Sequence, residues 1–263
     1  MSVRGALGAL LVANALVAVA CGGDESSRAS SGASKEKPRL TVSAAASLKK
    51  AFTAYGQSFT SADARFSFAG SDELVAQIEQ GVKPDVFAAA NTTLPDQLFE
   101  KGLVEKPTVF AGNRLVLAVP ATGAKVGSLD DLTEPGRTVA IGAKAVPVGS
   151  YTRKLLAGLP KGESSAILKN VRSEEPDVAG IVGKLTQGAV DAGFVYISDV
   201  RGTGGKLKAI ELSKSLQPAV AYGVAVVKGA KQPEQAKRFV DGLASGDGRQ
   251  ALEDAGFEPP PTG

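Results

Sequence analysis

The spacing of hydrophobic residues changes repeatedly along the chain after Arg39. Residues 40–45 form a short, largely apolar run, and beyond Ser47 apolar side chains recur at positions 48, 51, 52, 55 and 59. A short apolar run is typical of a buried strand, and spacings of three and four residues are typical of an amphipathic helix. We therefore predict a strand that ends before Ser47 and a helix that begins there, with the Ser47 hydroxyl placed to cap it.

Strand-like and helix-like patterns alternate in the same way as far as Ala255. This order implies an α/β fold with mostly parallel sheets and helices on their faces. The strands are too many for one compact sheet of this size, so we predict two α/β lobes. Predicted strands cover residues 40–45, 64–68, 86–89, 114–119, 138–142, 192–196, 209–211 and 219–227. Predicted helices cover residues 47–60, 72–80, 93–101, 148–158, 164–171, 177–187, 232–245 and 248–255.

The N-terminal segment has a different pattern. Arg4 gives a positive start, and residues 6–20 are apolar with two exceptions, a length typical of a signal peptide and short for a membrane span. The small residues before Cys21 resemble the lipobox of bacterial lipoproteins, which implies cleavage after a signal peptide of residues 1–20 and a lipid on the Cys21 sulfur. An ordinary secretory signal with an incidental cysteine is the alternative. Residues 21–38, rich in Ser, Gly and charge, are predicted to be a flexible tether.

Composition excludes several classes of function. The 263 residues carry a net charge of only +3, and no basic cluster with interleaved aromatic residues is present, so nucleic acid is not expected as a partner. The chain has no histidine and one cysteine. This excludes histidine-dependent nucleophiles, histidine-ligated metals, internal disulfides and cysteine-rich zinc sites. Ser47 with Lys49 or Lys50 could be considered a Ser-Lys pair, but we expect solvated lysines and predict neither an enzyme nor a cofactor.

Polar groups recur where predicted strands end and helices begin. Each signal taken alone is more simply explained by helix capping or core packing; Ser71 and Asp72, for example, are alternative caps of one helix. Together they place hydrogen-bond donors at the carboxyl ends of strands, the edge at which open α/β sheets bind ligands. The candidates are the hydroxyls of Ser47, Ser71 and Tyr196, and the backbone amides of Val148 and Val178.

The candidate donors share one chemical property. None of these motifs contains lysine or arginine, apart from Lys49 and Arg153, which we expect to point outward. Pro147 suits the first position of a helix and leaves the next amide free, and Gly149 allows close approach of another group. Neutral donors at helix N-termini are suited to a fully ionised tetrahedral oxyanion, which has acceptors and no proton to donate.

Seven segments, in order over residues 40–257, resemble the periplasmic molybdate-binding proteins of ABC transporters. These segments are 44–48, 68–71, 77–81, 84–87, 112–117, 146–149 and 195–199. The resemblance implies a two-lobed, type II periplasmic-binding-protein fold that closes on molybdate or tungstate in the cleft between the lobes. It implies that the ligand is bound by Ser47, Ser71, Val148, Val178 and Tyr196, with the Ala46 amide as a further donor.

Two residues depart from the pattern of that family. Val148 replaces a commoner alanine, which a backbone contact should tolerate. Gly70 replaces a commoner serine, which removes a hydroxyl beside the site.

The resemblance also implies a biological role. We expect a monomeric, lipid-anchored receptor outside the cytoplasm that hands molybdate to an ABC permease, with no metal beyond the bound oxyanion. Lobe one is predicted to comprise residues 39–117 and 222–263, and lobe two residues 118–221. Sulfate, thiosulfate or a small organic anion in the same fold is the alternative.

Overall fold

The computed structural model describes residues 37–261. The predicted signal peptide, Cys21 and most of the predicted tether lie outside the described residues. The strands are β1 (Arg39–Ala45), β2 (Asp63–Ala69), β3 (Val86–Ala89), β4 (Thr108–Asn113), β5 (Leu115–Pro120), β6 (Val139–Gly142), β7 (Val171–Glu175), β8 (Ala192–Tyr196), β9 (Leu207–Ile210) and β10 (Val220–Val226). The helices are α1 (Lys49–Ser58), α2 (Ser71–Glu79), α3 (Thr93–Glu100), α4 (Pro147–Ala157), α5 (Lys161–Lys169), α6 (Val178–Thr186), α7 (Ile197–Gly202), α8 (Pro233–Ala244) and α9 (Asp247–Ala255).

The strands form two sheets of five, which confirms the predicted two-lobed α/β fold. The first sheet has the order β2-β1-β3-β10-β4 and the second β7-β6-β8-β5-β9. In the first, β1 runs parallel to β2 and β3, whereas β10 is antiparallel to β3 and β4. In the second, β6 is parallel to β7 and β8, whereas β5 is antiparallel to β8 and β9. We call each sheet with its helices the first and the second lobe.

The chain crosses between the lobes twice. Strand β4 ends in the first sheet at Asn113, and β5 pairs within the second sheet from Leu115 onward. The return crossing lies between β9 and β10. The C-terminal helices then pack on the first lobe, where the Phe239 ring lies 5.5 Å from Phe52 and 4.6 Å from Tyr55 between centroids. The limits 39–117 plus 222–263 and 118–221 remain a prediction.

The hydrophobic pattern failed to predict three elements. Strand β7 has only half-buried and exposed positions and lies at the edge of its sheet, so it lacks the apolar run of a buried strand. The start of β7 also shortens the helix predicted over residues 164–171. That helix, α5, ends at Lys169, because Val171 already belongs to β7. Strand β4 is also an edge strand, with its first two residues exposed. The short helix α7 follows Tyr196 directly and was not predicted.

The predicted capping roles of the serines are wrong. Ser47 lies in a 3₁₀ turn, Ala46–Leu48, that precedes α1, and its side chain makes no capping hydrogen bond. Helix α2 begins at Ser71 with Gly70 as the N-cap, and neither Ser71 nor Asp72 caps it. Both hydroxyls bond to groups distant in sequence, which leaves the first-turn amides of these helices without side-chain partners.

No helix in the described part of the chain, residues 37–261, combines the length and the apolar character needed to cross a membrane.

Candidate functional site

A small cavity lies where the N-terminal ends of helices from both lobes face one another. The volume within which the centre of a water molecule can move is about 20 Å³, enough for an ion of a few atoms. All six residues predicted to bind the ligand line it. The lining residues are Ala45, Ala46, Ser47, Ala69, Gly70, Ser71, Ala90, Val146, Pro147, Val148, Asp177, Val178 and Tyr196.

Ser71 offers a free hydroxyl proton to the cavity. It is the first residue of α2 and is 2% exposed. Its Oγ accepts a hydrogen bond of 3.1 Å from the Ala90 amide. Because that amide supplies the proton, the hydroxyl hydrogen of Ser71 remains available for another acceptor. The Ser71 amide, in the first turn of α2, has no acceptor within its own helix.

Ser47 contributes a second hydroxyl from the carboxyl end of the neighbouring parallel strand β1. The strand runs directly into the 3₁₀ turn, so Ser47 and the Ala46 amide lie at the cavity wall. The Ser47 Oγ lies 2.9 Å from the hydroxyl oxygen of Tyr222 on β10. Ser47 is 8% exposed, and Tyr222 is fully buried.

The second lobe supplies the start of α4. Pro147 begins this helix, as predicted, and Val148 follows it. A Cβ atom on Gly149 would lie 2.0 Å from the Ala143 carbonyl oxygen and 2.3 Å from that of Gly142. Only glycine allows the first turn of α4 to pack this closely against the end of β6. The Val148 amide therefore lies at the cavity, in a first turn whose amides have no acceptor within the helix.

The start of α6 also lines the cavity and belongs, like α4, to the second lobe. Val178 is its first residue, and Asp177 is its N-cap. The Asp177 Oδ1 accepts a hydrogen bond of 2.9 Å from the Gly180 amide, which leaves the Val178 amide free of the cap. Asp177 is the one acidic residue among the lining residues, and no lysine or arginine lines the cavity. The prediction did not include Asp177 in the site, although an aspartate before an apolar helical stripe is a helix-start signal.

Tyr196 brings a third hydroxyl to the end of strand β8. Its side chain is 1% exposed, and its hydroxyl has no hydrogen-bond partner among residues 37–261. Burial raises the pKa of Tyr196 well above its ordinary value, so the hydroxyl stays protonated and can donate. A buried polar group without a partner costs about 1–3 kcal/mol. An acceptor bound in the cavity would therefore satisfy this buried hydroxyl.

The cavity is a convergence of donors, and it has no set of metal ligands. Within residues 37–261 no group of three or more Cys, Asp or Glu side chains is arranged to hold a metal ion. The donors are three hydroxyls and the first-turn amides of helices, whose dipoles favour an anion. The geometry can therefore surround a small anion with hydrogen bonds from both lobes.

Comparison with known proteins identifies the family. Residues 40–258 match the family described as bacterial extracellular solute-binding protein. The chain belongs to this family.

Relatives of this solute-binding protein carry informative names. The molybdate-binding protein ModA of Mycobacterium tuberculosis is 35% identical over 262 residues, which cover 97% of each chain. YvgL of Bacillus subtilis, whose name describes an ABC transporter substrate-binding lipoprotein, is 31% identical over 88% of this chain and 91% of its own. The solved periplasmic molybdate-binding protein of Azotobacter vinelandii superposes with a TM-score of 0.76 at 19% identity, over 84% of this chain and 100% of that one, and supports the fold alone. The predicted family resemblance is confirmed.

Three residues near the site of this solute-binding protein were not found from its sequence. Tyr222 and Asn113 form hydrogen bonds behind Ser47, and Asp199 accepts one of 3.0 Å from the Tyr196 amide. Asp199 follows Tyr196 by three residues, a spacing that could have indicated a local bond. Tyr222 lies 175 positions from Ser47, and no local pattern could have paired them.

Proposed function

We propose that this protein binds molybdate, and also tungstate, outside the cytoplasm and delivers it to an ABC permease. The observation that carries the proposal is the Tyr196 hydroxyl, which is buried without a partner at the wall of a small cavity. Ser47 and Ser71 bring two further hydroxyls to the same cavity. The molybdate-binding name of the Mycobacterium tuberculosis relative, 35% identical, supports this choice of ligand.

The chemistry of a tetrahedral dianion suits the donors. Its four oxygens accept hydrogen bonds and, when fully ionised, donate none. Each bond from a neutral donor to a charged acceptor contributes about 1.5–3 kcal/mol. Roughly half a dozen such bonds, less the cost of ordering the lobes, correspond to a dissociation constant on the order of micromolar or tighter.

The small cavity also bears on the alternatives. With about 20 Å³ open to the centre of a water-sized sphere, it favours a compact inorganic ion over an organic anion. Sulfate and thiosulfate share the chemistry of the oxyanion and belong in any binding panel. A Ser-Lys catalytic pair is disfavoured because Ser47 bonds to Tyr222, whereas Lys49 and Lys50 are exposed.

Location and partners follow from the family role. The family is described as extracellular, and the Bacillus subtilis relative is named as a lipoprotein. We include in the proposal a lipid on Cys21, a tether of residues 21–38 and a monomeric receptor. Incorporation of labelled fatty acid should require Cys21, and a Cys21→Ala variant that retains the label would contradict the anchor.

A titration panel tests the ligand. Isothermal titration calorimetry of the purified protein with molybdate, tungstate, sulfate, thiosulfate and phosphate should give heat at micromolar concentrations for molybdate and tungstate. Absence of binding to both would refute the proposed function. Tighter binding of sulfate than of molybdate would favour the alternative oxyanion.

A further inference from the structure

Behind Ser47, and outside the cavity lining, lies a buried chain of polar side chains. Tyr222 is fully buried, Asn113 is 4% exposed and Ser198 is 5% exposed. The Asn113 Nδ2 donates to the Ser198 Oγ at 2.8 Å and lies at a longer 3.5 Å from the Tyr222 hydroxyl. The Tyr222 hydroxyl lies 2.9 Å from the Ser47 Oγ. Hydrogen-bond geometry alone does not say which of the last two oxygens donates.

The orientation of the Asn113 amide resolves that question. The Arg114 amide donates to the Asn113 Oδ1 at 2.9 Å, so the Nδ2 must face Tyr222 and Ser198. An amide nitrogen can only donate. Within the described part of the chain, Ser47 is then the one acceptor in reach of the Tyr222 proton.

We propose that Tyr222 is a positioning residue for anion binding, which donates to the Ser47 Oγ and directs the Ser47 hydroxyl proton into the cavity. The inference rests on the proposed function, because it assigns a direction to one of the donors proposed there. The chain of donation runs from Asn113 to Tyr222 to Ser47 and ends on the bound anion. Such chains polarise one another in a buried environment, which strengthens the last bond.

The packing of Tyr222 holds its hydroxyl in place. Its ring stands edge-on to Phe257, with centroids 5.2 Å apart, and to Tyr196, with centroids 5.9 Å apart. Burial raises the pKa of Tyr222 well above its ordinary value, so the hydroxyl keeps its proton for donation. The Ser71 Oγ likewise accepts a hydrogen bond, in its case from the Ala90 amide. Both serines therefore have an acceptor site filled from behind and a proton free toward the anion.

A double-mutant cycle tests this role with molybdate as the probe. Tyr222→Phe should raise the dissociation constant about five- to tenfold, since one supporting hydrogen bond is lost. In a Ser47→Ala background the same change should alter the dissociation constant by less than about twofold, because the group through which Tyr222 acts is absent. A purely structural role for Tyr222 would give the same loss in both backgrounds.

Tyr55→Phe is the matched control. The Tyr55 hydroxyl is also buried and donates to the Phe239 carbonyl at 3.2 Å, but Tyr55 does not line the cavity. Its loss should lower the melting temperature and leave the dissociation constant unchanged.

The outcomes separate the two proposals. A parent protein that binds none of molybdate, tungstate and sulfate overturns the proposed function and this inference with it. A parent that binds, with Ser47→Ala weakened and Tyr222→Phe unchanged, overturns the positioning role alone. An equal effect of Tyr222→Phe in both backgrounds overturns it as well.

Discussion

Gly70 of the first lobe and the Pro176 carbonyl of the second leave no room for a side chain between them. A Cβ atom on Gly70 would lie 2.5 Å from the Pro176 oxygen. The Gly70 backbone, with φ −59° and ψ 137°, is acceptable to any residue. The need for glycine here therefore comes from the approach of the lobes and not from backbone conformation. The glycine that stands in place of the commoner serine therefore lies at a close contact between the lobes.

We predict that Gly70→Ala weakens anion binding without destabilising the free protein. The added methyl group must push the lobes apart in the closed form, and overpacking of this kind costs about 1–3 kcal/mol. The dissociation constant should rise about tenfold, as measured by calorimetry. The ligand-induced fall in radius of gyration, measured by small-angle X-ray scattering, should be smaller than in the parent.

Gly183→Ala is the control for this substitution. Gly183 lies inside α6, and a Cβ atom there would meet nothing within 4 Å. Alanine should stabilise the helix by up to about 1 kcal/mol and leave affinity unchanged. Equal affinities for Gly70→Ala and the parent would show that the contact between Gly70 and Pro176 does not limit closure.

Replacement of Ser71 should affect both binding and stability. Ser71→Ala removes a proposed donor to the anion, with an expected loss of about tenfold to a hundredfold in affinity. It also leaves the buried Ala90 amide without its acceptor, so the melting temperature of the free protein should fall. Ser58→Ala, which removes a hydroxyl bonded to the Tyr55 carbonyl, should leave affinity unchanged. If Ser71→Ala binds like the parent, the site is misplaced.

Tyr196→Phe should show the opposite effect on stability. The hydroxyl has no partner among residues 37–261, so its removal eliminates a buried, unsatisfied group. The melting temperature of the ligand-free variant should equal or exceed that of the parent, whereas its affinity for molybdate should fall about tenfold or more. A lower melting temperature with unchanged affinity would indicate a purely structural hydroxyl.

The charge on Asp177 should oppose binding of a dianion. Asp177→Asn keeps an N-cap oxygen for the Gly180 amide and removes the negative charge at the cavity wall. At an effective dielectric of about 80 and a separation of about 4–8 Å, relief of the repulsion between one carboxylate and a dianion is about 1–2 kcal/mol, or roughly five- to thirtyfold in affinity. Asp177→Ala should instead lose about 1 kcal/mol of stability with the cap. Weaker binding by Asp177→Asn in calorimetry would contradict this role.

Asp199 makes stability depend on pH. Burial raises the pKa of Asp199 from 3.8 to about 7, and the nearby Asp177 adds to the rise. Between these two values the folded protein keeps a proton that the unfolded chain has released. The contribution of Asp199 to stability is therefore full below about pH 4 and is lost as the pH rises through about 7.

We predict that Asp199→Asn raises the melting temperature more at pH 8 than at pH 5, because asparagine is never charged. The amide oxygen can still accept from the Tyr196 amide, which now bonds to Asp199 at 3.0 Å. Thermal unfolding at the two pH values measures the difference. A gain that is equal at both, or larger at pH 5, would contradict the raised pKa.

Local features of the chain were readily predicted. Strand β3 has the predicted bounds, Val86–Ala89, and α4 begins at Pro147, next to the position predicted. These features depend on a residue and its neighbours within a few positions, since periodicity and the fixed φ of proline act over one or two turns. The edge strands β4 and β7 were not predicted, because their partial exposure removes the apolar run on which the prediction depends.

The residues at the cavity were proposed from strand ends and family resemblance, but their hydrogen bonds required the tertiary structure. Ser47 was predicted to cap a helix, and it bonds instead to Tyr222, 175 positions away. Gly70 and Pro176 meet only because the two lobes face each other. A hydroxyl takes whichever partner the packed sheets bring within about 3 Å. The chain pattern thus sets which donors lie at the strand ends, and the packing of the two lobes decides which remain free for an anion.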